Sequence, residues 1–189
     1  MPVQLKKLNF KTFAKSGGEM YALLQDNRTR LSPWFWWADE KVTPTKFRFY
    51  VFMTLYLTDT KRKKIAHKFN SSKQYDEQFF IYNESGKMGG MCGLDNIDIK
   101  NTKDAELWYL TFKNNKFGMA DMALSWIEDY SIGMGLKSLY AKIQSTNDKS
   151  IKLAERNNYT LSDTQKNVPI SKHNPNIADM YTYTKILTR

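Results

Sequence analysis

The sequence predicts an α/β fold of the α+β type, in which helices flank a central, mixed but mostly antiparallel sheet. Two observations predict this class. Between Glu77 and Phe112 hydrophobic residues follow a two-residue period broken by turn residues, which is typical of consecutive antiparallel strands. From Gly118 onward helical and strand patterns alternate. The 189 residues suit one domain, and we expect residues 1–189 to form it.

The amino-terminal part is predicted to contribute one strand and two helices. Residues 4–13 have the pattern of a first strand, and residues 17–29 that of an amphipathic helix. The segment Leu31 to Trp37 is rich in tryptophan and contains a proline, so we predict an ordered aromatic loop. Thr43-Pro44 is a typical helix start, and that helix is predicted to run to about Lys64.

Three strands are predicted in the middle of the chain. Glu77 to Asn83 alternates in polarity, and Glu84 to Lys87 has the composition of a turn. Met88 to Ile99 is predicted as the second strand of this hairpin. After a turn at Asn101 to Asp104, Ala105 to Phe112 is predicted as a central strand.

The last part of the chain is predicted to alternate between helix and strand. A helix should follow Gly118 and end at Gly133 and Gly135. Its apolar stripe is predicted to comprise Met119, Met122, Ala123, Trp126, Ile127 and Tyr130. Residues 136–143 should then form a buried strand, residues 147–157 a short helix and residues 180–187 a final strand.

Composition excludes several classes of protein. The longest apolar stretch, around Phe49 to Leu57, is far shorter than a membrane-spanning helix, and the first residues lack a secretory signal, so we expect a cytoplasmic protein without a membrane partner. The single cysteine, Cys92, excludes an internal disulfide. Two histidines, His67 and His173, leave no recognisable metal-ligand spacing, and we expect no metal.

The charge is unevenly distributed along the chain. Of the 29 Lys and Arg and the 19 Asp and Glu, 15 and 5 fall within residues 1–75, so that segment carries the whole net charge of +10. A basic segment indicates an anionic partner, such as an acidic protein or a nucleic acid, or simply a solvated face. The run Lys61 to Lys64 also fits the last turn of a helix, so we do not expect direct nucleic-acid binding.

The segment Asn114 to Ala120 connects the central strand to the helix that follows Gly118. Free amides at a helix start and the positive end of its dipole bind anions such as a pyrophosphate, and a glycine lets the ligand approach the backbone. A glycine before a helix is also an ordinary boundary residue, so the loop alone leaves both interpretations open.

Within this loop, Asn115-x-x-Gly118-x-Ala120 resembles the Gln/Arg-x-x-Gly-x-Gly/Ala pyrophosphate signature of GNAT acetyltransferases. Asn115 departs from that signature, being shorter than glutamine or arginine. Other segments resemble, in the correct order along the chain, the RimJ/RimL group of that family: Asn27-Arg28-x-x-Leu31-x-x-Trp34, Lys87-Met88-Gly89-Gly90, Ala105-Glu106-Leu107-x-Tyr109, Asn147-x-x-Ser150 and Asn158-Tyr159. Trp108 replaces the glycine that is usual in the third of these segments.

The resemblance implies a GNAT fold, whose six- to seven-stranded sheet is splayed between its fourth and fifth strands. It further implies that the protein is an N-acetyltransferase that takes its acetyl group from acetyl-coenzyme A by direct transfer. The cofactor-binding residues implied are Leu110, Thr111, Phe112, Asn115, Lys116, Phe117, Gly118, Met119, Ala120, Asn147 and Ser150.

Three residues are candidates for proton transfer. Glu106 is the candidate general base, since it lies on the strand beside the expected thioester; a structural glutamate is the alternative. As the resemblance implies, Ser150 is a candidate for orienting the coenzyme or protonating the leaving thiolate, and Tyr159 is a second candidate acid. The alternative for Ser150 is helix capping, and the alternative for Tyr159 is packing in the core.

The acceptor side of the cleft is implied to be formed by the basic first segment, with Trp34, Trp36 and Trp37 as candidate substrate-binding residues. We therefore expect a protein or peptide amine as acceptor, of an acidic or ribosomal type. The same aromatic residues also suit the interface of a homodimer. Two alternatives remain open, a small-molecule amine acetyltransferase and a non-catalytic protein that binds coenzyme A.

Overall fold

The computed structural model describes residues 3–33, 43–49, 51, 75–113, 118–171 and 174–188. Of the predicted aromatic loop Leu31 to Trp37, Leu31 instead ends a helix, and residues 34–37 lie outside the described residues, as does the basic run Lys61 to Lys64. The helices are α1 (Phe10–Asp26), α2 (Arg28–Leu31), α3 (of which residues 44–49 and 51 are described), α4 (Met119–Gly133) and α5 (Asp148–Arg156). The strands are β1 (Gln4–Lys7), β2 (Tyr75–Tyr82), β3 (Met88–Asp98), β4 (Asp104–Thr111), β5 (Ser138–Gln144), β6 (Thr160–Ser171) and β7 (Asn174–Ile186).

The seven strands form one mixed sheet in the order β1-β2-β3-β4-β5-β7-β6. Neighbouring strands are antiparallel except for β4 and β5, which are parallel. The predicted hairpin of β2 and β3 is confirmed, with Gly86 in its turn at a φ of 74°. A positive φ is accessible to glycine without the steric cost that a side chain adds, so this turn is specified locally.

The parallel junction at the centre of the sheet is short. Asp104–Glu106 of β4 pairs with Ser138–Tyr140 of β5, and no pairing between the two strands is recorded beyond Glu106. β4 continues beside β3 as far as Thr111, whereas β5 continues beside β7. The two strands therefore separate, and an opening lies between their later residues, as predicted for a sheet splayed between its fourth and fifth strands.

Each face of the sheet has its own hydrophobic core. One core packs α4 and α5 against the sheet and includes Phe79, Ile127 and Leu139. The other packs the amino-terminal helices against the opposite face and includes Leu24 and Phe47. Because side chains alternate along a strand, β4 presents Leu107 and Tyr109 to the first core and Trp108 and Leu110 to the second. No helix among the described residues is long and apolar enough to cross a membrane.

The prediction of a first strand over residues 4–13 is wrong in its extent. The strand ends at Lys7, and α1 begins at Phe10. A capping box causes the change: the Thr12 amide donates to Asn9 Oδ1 at 2.9 Å, and the Asn9 amide donates to Thr12 Oγ1 at 2.8 Å. These bonds satisfy two groups that a helix start otherwise leaves unpaired.

The strand β6 is absent from the sequence-based prediction. It is largely polar and lies at the edge of the sheet. An edge strand need not have an apolar residue at every second position, so β6 lacks the alternation that is used to recognise strands. It pairs with β7, which begins at Asn174 rather than at Met180 as predicted.

The predicted apolar stripe of α4 is wrong at one position. Met122 is 37% exposed, whereas Leu124 and Ser131 are buried in addition to Met119, Ala123 and Ile127. The predicted helix start at Thr43-Pro44 is confirmed, because the Phe47 amide donates to the Thr43 carbonyl at 2.9 Å.

Candidate active site

The edge of β4 that borders the opening exposes only some of its backbone groups to it. The Phe112 amide donates to the Gly89 carbonyl of the β3 side at 2.8 Å. Since successive residues of a strand direct their backbone groups to opposite sides, Leu110 also bonds towards β3, and Thr111 faces the opening. Of the three residues expected to pair with the cofactor, Thr111 is therefore the one whose backbone groups face the opening. Its carbonyl accepts a hydrogen bond from Arg30 Nη2.

α4 begins close to this opening. Its N-cap is Gly118, with φ at 89°, and the Met122 amide donates to the Gly118 carbonyl at 3.0 Å as the first turn closes. The amides of that first turn have no carbonyl partner within the helix, and together with the positive end of the helix dipole they form an anion-binding geometry. Met119 is buried in the core, so a ligand would meet its backbone rather than its side chain. The candidates Asn115, Lys116 and Phe117 lie outside the described residues.

The start of α4 is bonded to the end of α5. Arg156 donates to Asp121 through Nε at 2.7 Å and Nη2 at 2.8 Å, and Asn157 Nδ2 donates to Asp121 Oδ1 at 2.8 Å. The hydrogen bonds from Arg156 are the main reason that the pKa of Asp121 is lowered. A bidentate pair of this kind fixes the relative position of two helices more than it adds stability, because the groups are partly exposed.

Asn147 and Ser150 lie together at the start of α5. Asn147 is the N-cap, and its Oδ1 accepts from the Ser150 amide at 3.3 Å, so the Asn147 side chain caps α5. Beside them is Tyr109 of β4, whose buried hydroxyl has no hydrogen-bond partner of ordinary geometry among the described residues. Burial raises the pKa of Tyr109 to about 12, and the neighbouring Ser150 hydroxyl opposes the shift.

Tyr109 was not among the residues selected from the sequence. An unpartnered buried hydroxyl is costly unless a ligand or water satisfies it. Its position in the Ala-Glu-Leu-Trp-Tyr segment was noted only as part of a motif, and only the fold shows that Ser150 lies next to it.

Tyr159 lies in the same hydrophobic core as Tyr109, just after the end of α5. Its side chain is 3% exposed, and burial together with the charge of Glu128 raises its pKa above the ordinary value. Lys185 Nζ lies 5.5 Å from the centre of its ring. Tyr159 thus packs between α4 and β7, and its role as a proton donor stays a prediction.

A group of carboxylates lies on the opposite face of β4. Glu106 Oε2 is 3.2 Å from Lys142 Nζ, and Asn96 Nδ2 approaches the same oxygen at 3.5 Å. Asp95 stands directly across from Glu106 in the β3–β4 pairing, and Trp108 Nε1 donates to its Oδ1 at 3.0 Å. Asp95, Lys142 and Trp108 were not selected as site residues from the sequence, because their proximity depends on strand register.

The Asp95 carboxyl has an unusual acidity. Burial, followed by the charge of Asp76, raises its pKa to about 6; the bond from Trp108 opposes this shift, and Glu106 adds to it. The site therefore contains a carboxyl group that exchanges its proton near neutral pH. No group of three or more His, Cys, Asp or Glu residues that could hold a metal is found in the described part of the chain.

Asn27 connects the first helices to the end of β4. It is 4% exposed, its Nδ2 donates to the Leu23 carbonyl at 2.8 Å, and its Oδ1 accepts from the Lys113 amide at 2.7 Å and from Arg30 Nη2 at 3.2 Å. Lys113 is the last described residue before the loop that leads to Gly118. Asn27 therefore fixes the point at which that loop leaves the sheet.

We expect Asn27→Ala to destabilise the protein by about 2 kcal/mol, because Asn27 is buried and the substitution removes its hydrogen bonds to Leu23, Lys113 and Arg30. Affinity for acetyl-coenzyme A should fall as well, since the loop loses its anchor. Urea denaturation and calorimetric titration measure the two effects. Asn27→Asp retains the acceptor oxygen and should preserve the loop better than alanine does. An alanine variant as stable as the parent protein would contradict this role for Asn27.

A sheet that opens between parallel central strands and is followed by a helix with a glycine N-cap is typical of acyl-coenzyme A-dependent transferases. The profile of the acetyltransferase (GNAT) domain matches residues 36–181, which is most of the chain. The chain belongs to the GNAT family of acetyltransferases, and it is an N-acetyltransferase whose acetyl donor is acetyl-coenzyme A.

Solved structures with the same fold cover nearly the whole chain. A RimL ribosomal L7/L12 α-N-protein acetyltransferase in complex with coenzyme A has a TM-score of 0.78 at 17% identity, covering 99% of this chain and 95% of its own. The microcin C7 self-immunity acetyltransferase MccE, in complex with acetyl-coenzyme A and AMP, has a TM-score of 0.77 at 18% identity, covering 98% of this chain and 92% of its own.

A more distant match is a spermidine N-acetyltransferase from Vibrio cholerae in complex with coenzyme A and spermine. Its TM-score is 0.68 at 14% identity, with coverage of 98% of this chain and 96% of its own. At such identities these likenesses show the shared fold. No curated protein matches the sequence significantly.

Proposed function

We propose that this acetyltransferase modifies the α-amino group at the amino terminus of a protein. The observation that carries amine acetylation is the opening beside β4, which has a helix start on the donor side and the carboxylates Glu106 and Asp95 on the opposite face. The choice of a protein acceptor rests on the likeness to RimL over almost all of both chains and on the basic first segment.

On the donor side, the pantetheine arm is proposed to lie along β4 between Thr111 and the departing β5, as an added strand. The pyrophosphate would accept hydrogen bonds from the first turn of α4, with Gly118 allowing close approach. Asn115, Lys116 and Phe117 are proposed to complete the loop around it, and Asn147 and Ser150 to contact the pantetheine. The Thr111 carbonyl would exchange its bond from Arg30 for one from the cofactor.

On the acceptor side, the amine must lose a proton before it attacks the thioester carbonyl. Glu106 is proposed to collect this proton, directly or through a water molecule, since its carboxylate lies where β5 leaves β4. Trp34, Trp36 and Trp37 stay proposed peptide-binding residues on this side. An amide of β4 is proposed to stabilise the developing oxyanion.

The leaving thiolate needs a proton from the other face of β4. Ser150 is the proposed donor, and Tyr109 beside it is a second hydroxyl that bound coenzyme could satisfy. Tyr159 is a weaker candidate, because its raised pKa makes the phenol a poorer acid and its side chain packs towards Glu128.

A small cationic amine is the second candidate acceptor. Asp76, Asp95 and Glu106 place several carboxyl groups on the acceptor face, and such groups attract polyamines. The basic first segment argues in the other direction, because it would repel a polycation during its approach.

The two candidates differ in a direct assay of thiol release from acetyl-coenzyme A. We expect acidic peptides with a free amino terminus to be acetylated with a kcat/KM at least about tenfold above that of spermidine, falling as salt is added. The same peptides with a blocked amino terminus serve as the control. Faster turnover of spermidine would favour the small-molecule function, and bound coenzyme without turnover of either amine would indicate a non-catalytic protein.

A further inference from the structure

Trp108 lies flat against a glycine of the neighbouring strand. Gly93 is its partner across β3 and β4, and a Cβ atom built on Gly93 would come within 2.7 Å of Cε2 and Cζ2 of the indole. The ring can occupy this place only because residue 93 has no side chain. RimJ/RimL-like sequences usually have glycine at the position of Trp108. In this chain β4 therefore carries a large side chain at that position, and its partner Gly93 on β3 carries none.

The orientation of this indole directs its N–H at Asp95. The bond from Nε1 to Oδ1 is 3.0 Å long, and Trp108 is on the same face of β4 as Glu106, two residues further along. The charged and titratable groups around Asp95 are Asp76 on β2, Glu106 on β4, and Tyr140 and Lys142 on β5. Of these, the ammonium of Lys142 is paired with Glu106.

We propose that Asp95 and Glu106 form a carboxylate pair that holds the proton lost by the acceptor amine, and that Trp108 is the positioning residue which fixes Asp95 in that pair. The proposal rests on the proposed function, because it assigns the path of the proton in the same acetyl transfer. Glu106 receives the proton at the edge of the opening, and Asp95, directly opposite, stores it away from the reacting atoms.

In this transfer the acceptor nitrogen loses two protons. The acceptor ammonium gives one proton to the carboxylate pair and becomes a neutral amine. Its nitrogen then bonds to the thioester carbonyl carbon, the C–S bond breaks, and the sulfur leaves with the electron pair of that bond. Ser150 gives its hydroxyl proton to the thiolate and receives the second proton of the nitrogen in return, which yields an amide and free coenzyme A, while the carboxylate pair returns its proton to water.

The acidity of Asp95 agrees with this storage role. Its pKa of about 6 lies above that of an ordinary aspartate, so the carboxyl takes up a proton at a pH where exposed aspartates do not. The group must be ionised at the start of the cycle, so kcat/KM should rise with pH through this value. The indole N–H lowers the pKa of Asp95, so losing it should move that rise to higher pH.

Trp108→Phe tests the positioning role, because it keeps an aromatic ring and removes the N–H. We expect the acid limb of the kcat/KM profile to move up by about one pH unit, while affinity for acetyl-coenzyme A stays unchanged. Trp126→Phe is the matched control, since Trp126 packs with Phe79 and Tyr130 on the other face of the sheet. An acid limb that stays in place in Trp108→Phe would overturn the proposal.

Asp95→Asn separates the proton-holding role from a structural one. Asparagine still accepts from the indole, so a structural bond survives, but the proton store is lost, and we expect kcat/KM at pH 7 to fall at least about tenfold. The unfolding midpoint at pH 7 should rise, because a raised carboxyl pKa means that the folded state disfavours the charged form. Asp163→Asn, on the exposed edge strand, is the control.

Unchanged activity in Asp95→Asn would overturn the inference while leaving the proposed function intact. Absence of turnover in the parent protein, with any amine, would instead refute the proposed function. The two failures are therefore distinguishable.

Discussion

Replacing Gly118 with tryptophan is expected to weaken acetyl-coenzyme A binding by at least about 100-fold, or to abolish it. Gly118 has a φ of 89°, a conformation that residues with side chains rarely adopt, and no described residue beyond its chain neighbours places an atom within 4 Å of the Cβ position. The indole would project into open space at the start of α4, where the pyrophosphate should bind. Calorimetric titration measures the loss.

Gly135→Trp is the matched control for this experiment. Gly135 has a φ of 86°, also has no atom of a described residue beyond its chain neighbours within 4 Å of its Cβ position, and follows the opposite end of the same helix. It therefore carries the same backbone strain far from the proposed cofactor. Equal affinities of Gly118→Trp and the parent protein would show that the pyrophosphate lies elsewhere, and equal losses in both variants would indicate damage to α4.

Gly90→Ala is expected to destabilise the fold by about 3 kcal/mol, at the upper end of the cost of overpacking. The added Cβ would lie 2.2 Å from the Leu110 carbonyl oxygen and 3.1 Å from the Thr111 Cα. Both are backbone atoms of β4, so neither can rotate away, and the strand that borders the opening must shift. Urea denaturation measures the change.

Gly18→Ala is the contrasting alanine substitution. Gly18 lies within α1, and apart from its chain neighbours and the backbone of α1 no atom in the described part of the chain is within 4 Å of its Cβ position. We expect it to stabilise the protein by up to about 1 kcal/mol, because alanine loses less backbone entropy than glycine in a helix. If both variants unfolded at the same denaturant concentration, β4 would be able to shift away from Gly90 at little cost in stability, which would contradict this prediction.

The elements predicted correctly from the sequence are those with strong local signals. The β2–β3 turn carries Gly86, the start of α3 carries Thr43-Pro44, and the start of α5 carries Asn147, whose side chain caps it. In each case the deciding interactions lie within a few residues, so sequence order is sufficient to predict them.

The errors arise where the deciding interaction is distant or the local signal is ambiguous. β6 is held by its pairing with β7 and has little apolar alternation of its own. The end of β1 depends on whether Asn9 and Thr12 cap a helix, a choice that hydrophobic pattern alone does not reveal. Met122 has an apolar side chain but faces outward on α4.

The candidate site divides in the same way. Gly118 and the helix behind it were predicted from the sequence, and the structure places them beside the opening. Asp95, Lys142 and Tyr109 were not predicted, because each becomes relevant only through a neighbour on another strand or helix. Strand register brings Asp95 opposite Glu106, and no spacing along the chain indicates it.

The short junction of β4 and β5 has a mechanical consequence. The strands β1 to β4 form one hydrogen-bonded block, β5 to β7 form another, and three residue pairs join them within the sheet. The cofactor is proposed to bond to the exposed edge of β4 while packing against β5, so it would connect the two blocks across the opening. Its binding free energy would therefore stabilise the association of the two blocks, and the sheet should become more rigid as the donor site is filled.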